Sequence, residues 1–60
     1  MFSVILERGD LGNKVWDDVS EKRAASRAAS LAELHGNVGV TVARSGDDVT
    51  LIVHAAEWYR

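Results

Sequence analysis

The sequence predicts a small α+β domain, a two-layer sandwich in which one α-helix covers a mostly antiparallel sheet of three or four strands. Two observations favour this class. Short runs that alternate apolar and polar residues, as half-buried strands do, lie near both ends of the chain. Between them lies a stretch with helix-capping signals at its ends and no proline or interior glycine. The element order is therefore β-α-β-β or ββαββ.

The first strand candidate is Phe2–Arg8, in which apolar residues alternate with others from one face to the other. It is followed by Gly9–Asn13, where glycine and Asx residues favour the backbone angles of a turn. The next residues, Lys14–Trp16, either return as a short strand, which completes a hairpin, or cross irregularly into the helix. The sequence leaves both alternatives open.

Capping residues mark the ends of the predicted helix. Asp18 and Glu21 have the spacing of a capping box, so Asp18 is a candidate N-cap, and Ser20 competes with it for this position. Gly36 suits the left-handed position just beyond a helix C-terminus. The helix is therefore expected to lie between Asp18 and Gly36.

The repeat RAASRAAS, residues 23–30, places alanines on one side of this helix and polar residues on the other. The side predicted to face the sheet carries Ala24, Ala25, Ala28, Leu31, Ala32 and His35. The opposite side carries Lys22, Arg23, Ser26, Ser30 and Glu33. Because alanine buries little area, most of the core is expected to come from the strands.

The last third of the chain contains the clearest strand pattern. Asn37–Arg44 and Asp48–Ala55 both alternate apolar and polar residues, and Ser45–Asp48 between them predicts a hairpin turn. The residues predicted to share the inward face are Val38, Val40, Val42, Val49, Leu51 and Val53. The tail, residues 55–60, either continues the last strand or turns helical and folds its two aromatic residues over the edge of the core.

Length and composition restrict the class of protein. The 60 residues, 1–60, fit a single small domain, and cysteine is absent, which excludes disulfides and thiolate metal sites. The net charge of −2 lacks the basic excess of a general phosphate binder. We find neither a signal-peptide pattern nor a stretch suited to span a bilayer, so we expect no membrane association and a cytoplasmic location.

The sequence contains no motif of the common catalytic or nucleotide-binding classes. The adjacent pairs Asp17–Asp18 and Asp47–Asp48 are explained by capping and turn roles. His54 and Glu57 could share a metal ion if the tail is helical, but a third ligand is missing. We therefore predict a protein that is not an enzyme and that has no catalytic residues, no cofactor and no metal.

The predicted sheet has more apolar surface than one alanine-faced helix can cover. The face away from the helix is expected to carry Ile5, Ala43, Ile52 and Ala56, with Trp16 and Trp58 as further candidates. Since monomers rarely expose large apolar patches, we expect a protein partner, either a second copy in a homodimer or a larger protein that this chain assists or inhibits. The alternative is that the tail or the first hairpin covers the patch. The predicted interface residues are Ile5, Trp16, Ile52, His54, Trp58 and Tyr59.

A second hypothesis is nucleic-acid binding by the outer side of the helix. Lys22, Arg23 and Arg27 lie near one another there. Glu21 and Glu33 flank them, and the group contains no aromatic residue on which a base could stack. Nucleic acid is therefore the less favoured partner.

Overall fold

The structure, a computed structural model, describes residues 1–58. The elements in chain order are β1 (Phe2–Glu7), β2 (Lys14–Asp18), α1 (Glu21–Leu34), β3 (Val40–Ser45) and β4 (Asp48–His54). Short 3-10 helices follow β1 at Gly9–Leu11 and β4 at Ala55–Glu57. The predicted α+β class is confirmed, and of the two predicted orders the chain has ββαββ.

The four strands form one sheet in the order β2-β1-β4-β3. The central strands β1 and β4 are parallel, and each has its hairpin partner antiparallel on the outside. Two of the three pairings are therefore antiparallel, as expected, and the parallel one joins the two hairpins. Helix α1 packs against one face of this sheet, chiefly against β1 and β4.

The first hairpin forms, so Lys14–Trp16 belongs to a returning strand rather than to an irregular crossing. Its turn contains Gly9 at φ +61° and Gly12 at φ +78°, angles that residues with a side chain rarely adopt. The Arg8 guanidinium donates to the carbonyls of Leu11 and Gly12, both at 2.9 Å, and so fixes the turn from its side.

The helix begins after Ser20, whose hydroxyl accepts a hydrogen bond from the Arg23 amide at 3.2 Å. The prediction of Asp18 as N-cap is wrong, because β2 continues through Asp18 and its carboxylate binds Arg27 instead. The predicted C-terminus is confirmed. Gly36 takes φ +83°, and its amide donates to the Glu33 carbonyl at 3.2 Å.

The core lies between α1 and the central strands. Its buried residues are Val4, Leu6, Ala24, Ala28, Ala32, Leu51, Val53 and Ala55. Phe2, Trp16, Leu31 and Val38 pack against this cluster and are half-buried. His35, the C-cap residue of the helix, is also buried, as its predicted inward position requires.

Ala25 was predicted to face the sheet, but it is exposed. It lies about 100° around the helix from Ala24, on the same side as Glu21 one turn earlier. Glu21 pairs with Arg44 of β3 at 3.4 Å, so this side of the helix points toward β3. The helix packs chiefly on β1 and β4, so Ala25 on this side stays exposed.

The tail turns helical instead of continuing β4. Ala55 is fully buried, and the Trp58 ring lies against Gly36, where an added Cβ would sit 2.9 Å from Cζ3 of Trp58. Trp58 thus packs on the segment that leads from α1 into β3, and Tyr59, the other aromatic residue of the tail, lies outside the described residues. Within residues 1–58, the helices are too short or too polar to cross a bilayer.

Candidate interaction surface

Strand β3 lies outside the cover of the helix. All six of its residues are exposed, and on the helix side Val40 and Val42 retain 39% and 51% of their surface. Their register neighbours in β4, Val53 and Leu51, are buried. Because the inner side of the helix is made of alanines, its side chains do not extend far to either side. The helix therefore covers the central strands β1 and β4 but not β3.

Strand β3 is at the edge of the sheet, so the backbone groups on its outer side are not paired with another strand among the described residues. The His54 amide donates to the Gly39 carbonyl at 3.0 Å, so position 39 faces β4. In an antiparallel pair the hydrogen-bonded positions alternate, which turns Thr41, Ala43 and Ser45 toward β4 as well. The N–H and C=O groups of Val40, Val42 and Arg44 therefore point away from the sheet. We call this the β3 edge.

The face of the sheet opposite the helix, here called the open face, carries an apolar row. Ile5 and Ile52 lie side by side in the two central strands. Val15 of β2 continues the row on one side and Thr41 of β3 on the other. The two isoleucines are half-buried and Val15 is 61% exposed, so no other element within the described residues covers this row.

A polar network crosses the open face next to the row. His54 in β4 is bonded through Nδ1 to Glu7 Oε1 of β1 at 2.7 Å and through Nε2 to Thr41 Oγ1 of β3 at 2.6 Å. The order carboxylate, imidazole, hydroxyl is that of a nucleophilic triad. Catalysis would also need donors aimed at a reacting oxygen, in a site shielded from water. The Glu7 and His54 side chains are 38% and 40% exposed. The two hydrogen bonds join three strands, and we call this network the Glu7–His54–Thr41 clamp.

Arg27 connects the helix to strand β2. Its guanidinium donates to both carboxylate oxygens of Asp18, at 2.9 and 3.1 Å, and lies 5.5 Å from the centre of the Trp16 ring. The hydrogen bond to Asp18 raises the pKa of Arg27 above its usual value, and the negative charge of Asp18 adds to that effect. Arg27 therefore stays charged and engaged within its own chain. Of the three basic residues proposed to bind nucleic acid, Lys22 and Arg23 are exposed.

The predicted interface residues fall into separate places. Ile5, Ile52 and His54 come together on the open face, as do Ala43 and the partners of His54. Trp16 does not: it sits opposite Val4 on the helix side, under Arg27, which corrects its placement among the open-face candidates. Trp58 lies against Gly36 and is 58% exposed, and Tyr59 is outside the described residues.

Sequence reasoning missed the exposed valines of β3 and the partners of His54. Val40 and Val42 were predicted to be core residues, since their alternation shows only that they share a face. A usable signal was present: an inner helix side made of alanine cannot cover four strands. Glu7 and Thr41 lie 47 and 13 positions from His54, a distance at which local patterns carry no information.

Comparison of the chain with protein-family models, with curated proteins and with solved structures finds no match. Among residues 1–58 there is also no group of three or more histidine, aspartate or glutamate side chains placed to hold a metal ion. His54, which was considered with Glu57 as a possible metal pair, instead bonds to Glu7 and Thr41. The functional proposal below is therefore based on the geometry and the charges of the described residues.

Proposed function

We propose that this chain is a non-enzymatic protein–protein interaction module that binds its partner along the β3 edge and the adjoining part of the open face. It acts as a homodimer or as an accessory or inhibitor of a larger protein, in the cytoplasm. The observation that carries the proposal is the exposure of all six residues of β3 on an edge strand.

An exposed edge strand is a template for pairing, because its outward N–H and C=O groups can continue the hydrogen-bond ladder with another chain. Proteins that avoid such pairing shorten the edge, place lysine or proline on it, or cover it. Residues 40–43 of β3 read Val-Thr-Val-Ala, which contains no charge and no proline. Three of these four residues are β-branched, a type that fits a strand well. The edge is therefore suited to strand addition, in which the main chain provides affinity and side chains provide specificity.

The open face supports the same proposal. Ile52 lies in β4, next to β3, and Ile5 lies one strand further in, so a partner that adds a strand can also reach these two isoleucines. The Glu7–His54–Thr41 clamp links β3 to the two central strands through two side-chain hydrogen bonds, which help to hold the edge strand in register.

The nucleic-acid hypothesis receives less support. Arg27 is bound to Asp18, and Glu21 places a negative charge beside Lys22 at the start of the helix. The net charge of the chain is −2. A protein that relies on phosphate contacts loses affinity steeply as salt increases. A binding titration with a short duplex at low and high salt separates this hypothesis from the proposed one.

Site-specific photo-crosslinking tests the proposed function. A photoreactive amino acid at position 42 of the β3 edge is compared with the same amino acid at position 15, an exposed valine of the opposite edge strand. We expect position 42 to give one dominant protein product, identified by mass spectrometry, in cells that produce the chain and in the purified protein if the partner is a second copy. Equal, diffuse crosslinking at both positions, or none at position 42, would contradict the proposal.

A further inference from the structure

We infer that the occupant of the β3 edge is a second copy of this chain, which pairs β3 with β3 in antiparallel orientation around a two-fold axis at Val42. This inference rests on the proposed function and names its partner. The paired dimer would have one continuous sheet of eight strands, with the two helices on the same face.

The register follows from which backbone groups point outward. Only Val40, Val42 and Arg44 present both N–H and C=O to the β3 edge. With Val42 opposite Val42 of the second copy, each Val40 lies opposite the other chain's Arg44. All three outward positions of each chain are then paired. A shift of two residues in either direction leaves one of the three outward positions without a partner within β3. The register centred on Val42 therefore pairs the largest number of backbone groups.

Charge favours the antiparallel arrangement over the parallel one. In a parallel, in-register pair the two Arg44 guanidinium groups would stand side by side, which is unfavourable for like charges. In the antiparallel pair each Arg44 lies beside a valine, and its guanidinium is already turned toward Glu21 of its own helix at 3.4 Å. Two charged groups of the same sign therefore do not meet across the axis.

The side chains of β3 also complement one another under this symmetry. On the helix side, Val42 meets Val42 at the axis, and each of these valines is 51% exposed in the single chain. On the open face, Thr41 lies opposite Ala43 of the second copy, so small residues meet small ones. The pairing uses the single β3 of each chain, and association therefore stops at two. The opposite edge, β2, does not continue it because charged residues line that strand.

Single cysteine variants test the register, since the chain has no other cysteine. At a hydrogen-bonded antiparallel pair the Cα atoms lie about 5.5 Å apart, within the range a disulfide spans. Val42→Cys should therefore form a covalent dimer under mild oxidation. Val40→Cys should not, because the two copies of position 40 would be about 14 Å apart along the strand. We expect Val42→Cys to crosslink at least tenfold faster than Val40→Cys, with the circular dichroism of both variants unchanged.

Sedimentation equilibrium of the unmodified chain provides the second measurement. We expect a mass that rises from 6.5 kDa toward twice that value between about 1 µM and about 1 mM. Val42→Lys, which brings two ammonium groups together at the axis, should weaken self-association at least tenfold. The control Val15→Lys, at the opposite edge, should leave it unchanged.

A mass of 6.5 kDa at every concentration, or equal crosslinking of the two cysteine variants, would overturn the second-copy inference. Photo-crosslinking of position 42 to a different protein would then leave the proposed function standing. If position 42 captures neither the chain itself nor another protein, both proposals fail. The three results are thus distinguishable.

Discussion

The two edge strands of the sheet differ in what lies over them and in the charges they carry. Strand β2 has Trp16 beneath the Arg27 guanidinium, and Asp18 holds that guanidinium with a side chain only 5% exposed. All six residues of strand β3 are exposed, and its first charged residue is Arg44. The two strands belong to the same sheet and have similar lengths. The difference in cover comes from where the helix lies, and the difference in charge comes from their sequences.

Under the proposed function, this difference gives the two edges separate roles. Charged residues on β2, Lys14, Asp17 and Asp18, discourage further strand pairing at that side. The uncharged Val-Thr-Val-Ala segment of β3 leaves the other side available. A small domain with one protected and one available edge can pair in one direction without forming a fibre.

The largest expected effect contrasts the covered strand with the uncovered one. Val53 and Val40 are register neighbours, but Val53 is fully buried and Val40 is 39% exposed. Val53→Ala should lower the unfolding free energy by about 2 to 3 kcal/mol, much of the total for so small a core. Val40→Ala should cost less than about 1 kcal/mol. Urea unfolding followed by circular dichroism, at a concentration where the chain is monomeric, measures both. Equal costs would show that the helix covers β3.

A second pair of substitutions examines the helix side that borders each strand. Ala28 is buried over the central strands, so Ala28→Leu should overpack the core and cost about 1 to 3 kcal/mol. Ala25 is exposed on the side toward β3, so Ala25→Leu should be close to neutral, because an exposed position accepts a longer side chain without overpacking the core. Thermal melts of the two variants provide the comparison. A similar loss in both would place Ala25 against the sheet, as the sequence predicted.

The smallest expected effect concerns the protection of β2. Arg27→Lys keeps the positive charge but loses the planar group that donates twice to Asp18 and lies over Trp16. Amide hydrogen exchange in β2 should become severalfold faster, while exchange in β4 should stay close to that of the parent. If both strands exchange faster by the same factor, the Arg27 contact stabilises the whole domain and is not specific to this edge.

Much of the architecture could be predicted from local patterns. Alternation located the strands, and glycine and serine positions marked the turns and the helix start, where Ser20 outcompeted Asp18. Asp18 was misassigned because capping spacing is a local signal, whereas its true partner, Arg27, is set by the approach of the helix to β2. The sheet face on which Trp16 lies depends on the register of the first hairpin. The geometry of the turn determines that register, and the composition of the turn does not.

The interaction surface was harder to predict than the fold. Alternate residues of a strand lie on the same face, so the sequence placed Ile5 and Ile52 on the open face. The register of β1 with β4, in which these two residues are neighbours, agrees with that placement. The exposure of Val42 depends on how far the helix reaches across the sheet, a quantity that no single residue encodes. The pairing of His54 with Glu7 depends on the parallel contact of β1 with β4, which joins opposite ends of the chain.

That parallel contact has a consequence for synthesis. Glu7 and His54 are 47 positions apart, so a ribosome must make nearly all of β4 before β1 gains its central neighbour. Until then the nascent chain shows the side chains of Phe2, Val4 and Leu6 to its surroundings. The domain is thus expected to fold only after β4 has left the exit tunnel, in one late step rather than hairpin by hairpin.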